Sequence, residues 1–126
     1  MRIPRIAGPL ACLAVLLSSP VFLAAHHSVV AYYDTNTQLT LKGVVTKIEW
    51  TNPHAFVYLD VKDEHGKVTN WAIETDSPNV LSRGGWSKHT LKPDDEVTAI
   101  GFPAKKQKAA LRLVTLTLAD GRRLKG

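Results

Sequence analysis

The feature that most restricts the fold is a series of five short segments rich in β-branched and apolar residues, each bounded by turn-forming residues. In the second of them, apolar side chains occupy every other position from Ala55 to Val61. This period of two is typical of a strand with one buried face. The sequence therefore predicts five strands, over residues 39–50, 55–62, 67–75, 96–102 and 110–118.

A short helix is predicted between the third and fourth strands. Ser77 is a favourable N-cap and Pro78 suits the first helical position. Residues 79–83 can then form one or two turns that end at Gly84 and Gly85. The order β-β-β-α-β-β is that of the OB-fold, a small five-stranded Greek-key barrel. We predict an all-β OB-like barrel with one short helix, and a plain meander or a sandwich is the alternative.

Two local features are predicted at the ends of this pattern. In the first strand the alternation shifts after Gly43, which indicates a bulge or a sharp bend at that glycine. The basic tail, residues 122–126, is expected to be frayed.

The first 25 residues have the pattern of a cleavable signal peptide. Arg2 and Arg5 precede a short apolar run at residues 10–17, and small residues, Ala24 and Ala25, end the segment. The run is short for a membrane span, although an uncleaved anchor is the alternative. We therefore expect a periplasmic or secreted protein with no transmembrane anchor after cleavage. The predicted divisions are a signal peptide (1–25), a lead-in segment (26–38) and an OB-like barrel domain (39–126).

Composition excludes several classes of function. Cys12 is the only cysteine and lies inside the predicted signal peptide. The mature chain can therefore form no disulfide, thiolate metal site or cysteine nucleophile. Arg2 and Arg5 supply two of the five net positive charges, which leaves three on residues 26–126. This mild charge, together with export, argues against a nucleic-acid partner.

The adjacent residues His26 and His27 give the most specific indication of function. Cleavage after Ala25 would make His26 the first residue, so that its α-amine and ring could chelate one metal with a second imidazole from His27 or His54. Cleavage after Ala24 would make His27 the third residue, and amine, amide and imidazole nitrogens could then surround the metal in a plane. The first nitrogen-rich set favours Cu(II) and the second favours Cu(II) or Ni(II), so both indicate copper. Incidental histidines on a free terminus are the alternative.

His54 lies in the turn Thr51–His54, at the start of the second predicted strand. It could be the remote ligand that completes a metal site with the amino-terminal histidines. The alternative is structural: a lone histidine at a strand junction often only hydrogen-bonds a nearby carbonyl.

A second binding hypothesis uses the aromatic surface of the barrel. In OB-folds the second and third strands bind oligonucleotides or oligosaccharides. Phe56, Tyr58 and Trp71 are the candidate ligand-binding aromatics, and a lysine cluster lies at residues 105–108. The protein could therefore be a module for an unidentified small ligand, sugar or protein partner, with no metal.

Catalysis is the less favoured interpretation. Glu74 and three other strand or turn carboxylates are available, but such groups usually face water. No serine lies in a G-x-S-x-G motif, and no cofactor motif is present.

Several segments together resemble a family of small exported bacterial proteins that is known only as a domain of unknown function. They are HHS at 26–28, WTNPHA at 50–55, NWAIE at 70–74, SPNVL at 77–81, RGGW at 83–86, LKPDDEV at 91–97 and TLADGR at 117–122. The resemblance covers essentially the whole mature chain. It implies export and a single domain, and it carries over no activity, substrate or catalytic residue.

Overall fold

The structure is a computed structural model that describes residues 29–126. Six strands and one short helix between β3 and β4 follow the lead-in within this range. The strands are β1 (Leu39–Glu49), β2 (Phe56–Lys62), β3 (Val68–Glu74), β4 (Glu96–Pro103), β5 (Ala110–Leu118) and β6 (Arg123–Lys125), and the helix is Pro78–Arg83. The predicted elements agree with these bounds to within one or two residues.

The strands close into a barrel with the order β3-β2-β1-β4-β5, and β5 returns to pair with β3. The β3–β5 pairing is parallel, whereas the others in the barrel are antiparallel. A meander would pair only consecutive strands, so the β1–β4 and β3–β5 ladders exclude it. The predicted OB-like barrel is confirmed.

Alternation along the strands places one apolar set inside the barrel. Leu59, Ile73 and Leu111 are completely buried, and Val45 and Val57 are nearly so. Removal of these side chains from water is the main favourable contribution to folding. The outer faces of β2 and β3 remain available to position polar groups.

The short helix closes one end of the barrel. The hydroxyl of Ser77 accepts a hydrogen bond from the Val80 amide at 3.5 Å, and Pro78 occupies the first turn. Leu81 is 2% exposed and joins the core. Gly85 has a φ of 92° just beyond the helix end, a conformation that glycine adopts without strain.

The predicted position of the irregularity in β1 was wrong. Leu41, Gly43 and Val45 all face inward, so alternation continues through the glycine. The register against β2 shifts between Val45 and Lys47 instead. Gly43 is needed for a different reason, since a Cβ atom there would lie 2.6 Å from the carbonyl oxygen of Asp60.

The prediction of a frayed tail was also wrong. Residues 123–125 form β6, which pairs with the second half of β5. Leu124 is only 9% exposed and packs into the core cluster. The β5–β6 pairing and the burial of Leu124 together hold this basic segment on the barrel.

The lead-in segment packs against the outside of the barrel. Residues 29–32 are helical, and Tyr33 forms an isolated bridge with Ala104 at the end of β4. The Asp34 amide donates to the carbonyl of Pro103 at 2.9 Å. Tyr33 is 9% exposed, so the segment covers part of the surface formed by β3, β4 and β5. Within residues 29–126, no helix has the length and apolarity needed to cross a membrane.

Candidate functional site

A cavity of about 410 Å³ lies between the lead-in segment and the loop that joins β4 to β5. It contains His54, the one predicted metal ligand within residues 29–126. Its walls combine apolar, aromatic, acidic and basic side chains. The lining residues are Val29, Ala31, Tyr32, Tyr33, His54, Glu74, Ala104, Lys105, Lys106 and Gln107.

The backbone next to His54 is firmly held. The Ala55 amide donates to the carbonyl of Asp76 at 3.1 Å, and the Ala55 carbonyl accepts from the amide of Thr75 at 3.0 Å. The hydroxyl of Thr75, which is completely buried, donates to the same carbonyl at 2.9 Å. These bonds extend the β2–β3 ladder beyond the strand ends and fix the position from which the imidazole projects.

The partner of His54 is a carboxylate rather than the predicted backbone carbonyl. Its Nδ1 atom lies 2.5 Å from Oε1 of Glu74, with 41% of the histidine side chain and 18% of the glutamate side chain exposed. Glu74 is the last residue of β3 and faces outward, opposite Phe56 of β2. The contact is therefore partly shielded from water but open to the cavity.

The second carboxylate oxygen of Glu74 is also used. Oε2 accepts a hydrogen bond from the hydroxyl of Tyr33 in the lead-in segment. Burial is the largest cause that raises the pKa of Tyr33 above its ordinary value, and the hydrogen bond to Glu74 adds to it. Tyr33 is thus a protonated donor at neutral pH, and Glu74 bridges it to His54.

Behind this bridge, Arg112 of β5 is the register partner of Glu74. Its guanidinium forms an ion pair with Asp76, and only 11% of the side chain is exposed. The Nη1 atom is buried without a hydrogen-bond partner among residues 29–126. A fixed positive charge therefore lies behind the anionic part of the cavity.

Two hydrogen bonds from Lys105 connect the β4–β5 loop to the lead-in segment. Its amide donates to the carbonyl of Tyr32 at 2.9 Å, and its Nζ donates to the carbonyl of Val30 at 2.6 Å. Within the predicted lysine cluster, Lys105 therefore makes structural contacts, whereas Lys106 is exposed at the cavity.

The candidate aromatic residues divide between the two faces of the sheet. Phe56 and Tyr58 lie together on the outer face, with ring centroids 6.3 Å apart and an interplanar angle of 26°. Trp71 pairs with Leu59 and packs against the core from the inner face. The structure therefore groups Phe56 with Tyr58 and separates Trp71 from both.

Tyr58 is further surrounded by polar groups. The Nζ atom of Lys47 lies 5.4 Å from its ring centroid, and its hydroxyl donates to Oε2 of Glu49 at 3.2 Å. Phe56 is also the cross-strand neighbour of Glu74. The aromatic pair therefore adjoins Glu74, which lines the cavity that contains His54.

Two of the predicted metal ligands, His26 and His27, lie outside the described residues. Within residues 29–126, no three histidine, cysteine or carboxylate side chains are grouped so that they could hold a metal ion. His54 and Glu74 provide two such groups. The sequence pattern indicates only that Glu74 is one of several strand carboxylates that face water, and nothing local to it indicates that Tyr33 and His54 meet there.

Together, the fold and the site define a small OB-like barrel with a half-enclosed His–Glu–Tyr cluster on its outer surface. The chain belongs to DUF6152, a family of unknown function, whose model matches residues 14–112. The resemblance predicted from the sequence segments is thereby confirmed. None of the curated proteins compared with the chain matches it significantly.

Proposed function

We propose that this protein is an exported, periplasmic metal-binding protein that binds Cu(II) through His54 and the amino-terminal histidines His26 and His27. The observation that carries the proposal is the position of His54. Its ring lies in a cavity whose wall includes Val29, the second residue after His27.

The length of the chain supports this ligand set. Consecutive Cα atoms are about 3.8 Å apart, so the Cα atom of His27 is within about 7.6 Å of the Cα atom of Val29. A histidine side chain adds several ångströms to this reach. The covalent chain therefore allows the imidazole of His27, and with one residue more that of His26, to reach the cavity wall at Val29.

The chemistry of the donors favours copper. Imidazole and amine nitrogens suit Cu(II), which prefers tetragonal nitrogen and oxygen sets. Cleavage after Ala25 would supply the α-amine of His26 together with its ring, and cleavage after Ala24 would place His27 third. In both cases His54 contributes a nitrogen from the folded domain, so that the site differs from a free terminal peptide.

The experiment uses mature protein purified from the periplasm, with its amino terminus determined by sequencing. Cu(II) titration should give binding at least tenfold tighter than that of a synthetic peptide with the same first residues. His54→Ala should reduce the affinity to that of the peptide. His65→Ala is the matched control, because His65 is exposed in the β2–β3 hairpin.

Two results would contradict the proposal. One is a mature terminus that retains the leader or begins beyond His27. The other is an affinity of the intact protein no higher than that of the peptide.

A second candidate function rests on Phe56 and Tyr58. Their nearly parallel rings on the outer face, bordered by Lys47 and Glu49, suit a small ligand, a sugar or a protein partner that stacks on aromatic rings. Chemical-shift changes at Phe56 and Tyr58 during titration with oligosaccharides would support it. Changes at Trp71 alone would not, because that ring lies on the opposite face of the sheet.

A further inference from the structure

We infer that Glu74 is the positioning residue of this site: it fixes the His54 ring so that Nε2 is the nitrogen available to a ligand, and it docks the lead-in segment through Tyr33. The metal-binding part of the inference rests on the proposed function. The orientation of the ring does not, and it can be measured without metal.

The first step concerns the proton on His54. A carboxylate is only an acceptor, so a proton on Nδ1 makes the short contact with Oε1 of Glu74 attractive, whereas a lone pair on Nδ1 would make it repulsive. In a neutral imidazole with Nδ1 protonated, Nε2 carries the lone pair. Ligand histidines commonly donate their other ring nitrogen to a carboxylate in this way, which fixes the tautomer and raises the basicity of the ligating nitrogen.

The second step concerns the lead-in segment. Tyr33 donates to Oε2 of the same carboxylate and is six residues after His27 in the chain. Its burial, together with the contacts of Lys105 to Val30 and Tyr32, holds the segment at the cavity wall. One carboxylate therefore joins His54 of the barrel to Tyr33 of the lead-in segment.

The barrel contains a matched control for this arrangement. Tyr58 and Glu49 form a second tyrosine–glutamate hydrogen bond on the same outer face, and within residues 29–126 the ion-pair partner of His54 is Glu74 rather than Glu49. Glu49→Ala removes the same chemical group from a similar strand position. This variant measures the effect of losing a tyrosine–carboxylate hydrogen bond elsewhere on the barrel.

The first measurement is the nitrogen-15 NMR spectrum of the histidine rings in metal-free protein with neutral imidazoles. We expect Nδ1 of His54 to be protonated and Nε2 to be unprotonated. Glu74→Ala should convert the ring to a mixture of tautomers, and Glu49→Ala should leave it unchanged. A ring protonated mainly at Nε2 in the unsubstituted protein would overturn the inference.

The second measurement is Cu(II) affinity. Loss of such an outer partner typically weakens metal binding by about 10-fold to 100-fold, and we expect this for Glu74→Ala. Glu74→Gln retains an oxygen acceptor and should recover part of the loss, and Tyr33→Phe should show a smaller decrease. An affinity of Glu74→Ala within about twofold of that of Glu49→Ala would overturn the positioning role.

The two proposals fail in different ways. If the unsubstituted protein binds Cu(II) no better than the terminal peptide, the proposed function fails, and the NMR result still decides whether Glu74 sets the His54 tautomer. If Glu74→Ala does not fold, Glu74→Gln is compared with Glu49→Gln by the same two measurements.

Discussion

The indole nitrogen of Trp86 donates a hydrogen bond to the backbone carbonyl of Lys125 over 2.8 Å. Trp86 follows the short helix and is 5% exposed, and Lys125 is the last residue of β6. The bond therefore joins the segment that closes the barrel to the carboxyl-terminal strand. Leu124, the residue before Lys125 in β6, packs in the core cluster. The end of the chain is thus a structural part of the domain.

Leu124→Ala is expected to lower the free energy of unfolding by about 2 kcal/mol, at the low end for a leucine in a core, because the residue lies at the margin of the barrel. Urea denaturation followed by tryptophan fluorescence measures the change. Arg123→Ala, at the exposed neighbouring position, is the control and should change the value by less than about 0.5 kcal/mol. Equal effects of the two substitutions would contradict the importance of β6.

Gly101→Ala is expected to destabilise the domain by about 1–3 kcal/mol, since overpacking forces backbone shifts. A Cβ atom at Gly101 would lie 2.2 Å from the carbonyl oxygen of Arg112, where the β4–β5 register is irregular. Gly84→Ala is the control, because the φ of Gly84 is −85° and a Cβ atom there would lie 3.3 Å from the Leu81 carbonyl oxygen. The midpoint temperature of thermal unfolding should be clearly lower for Gly101→Ala than for Gly84→Ala. The reverse order would refute the close approach of Gly101 to the Arg112 carbonyl.

Asp94→Gly is expected to stabilise the protein by about 0.5–1 kcal/mol. Asp94 has a φ of 75° in the turn before β4, in the left-handed region that glycine occupies without a steric penalty. Asp94→Ala, which removes the side chain but keeps the Cβ atom, should instead lower stability. Denaturation midpoints that shift in the same direction for both variants would show that φ is not the cause.

The contribution of Tyr33 to stability should depend on pH. Burial and the bond to Glu74 raise its pKa above the ordinary value of 10, so the folded state holds the proton more tightly than the unfolded state. The stabilisation is then complete below pH 10 and is lost as the pH rises above it. Denaturation from pH 8 to 11 should show the difference between the unsubstituted protein and Tyr33→Phe shrinking above pH 10.

The control for this experiment is Tyr32→Phe, at a tyrosine that is 70% exposed. It should leave the pH dependence of the unsubstituted protein intact. A constant difference between the unsubstituted protein and Tyr33→Phe across the whole range would be inconsistent with the raised pKa.

The amino-acid sequence alone determined five of the six strands described in residues 29–126, the helix Pro78–Arg83 and the fold class. Alternation in β2 and the Ser77–Pro78 helix start are local signals, because both depend on residues within a few positions of one another. The five strands and the position of the helix then sufficed to indicate an OB-like barrel. The quoted segments from HHS to TLADGR likewise sufficed to indicate the family.

Tertiary structure decided the site. His54 and Glu74 are 20 positions apart, and Tyr33 and Glu74 are 41 apart. Only the pairing of β2 with β3 and the packing of the lead-in against the barrel bring these side chains together. Tertiary packing likewise drew Leu124 into the core. Local periodicity shows which face of a strand or helix is apolar. The partner of a polar side chain depends instead on which distant segments come into contact when the barrel closes.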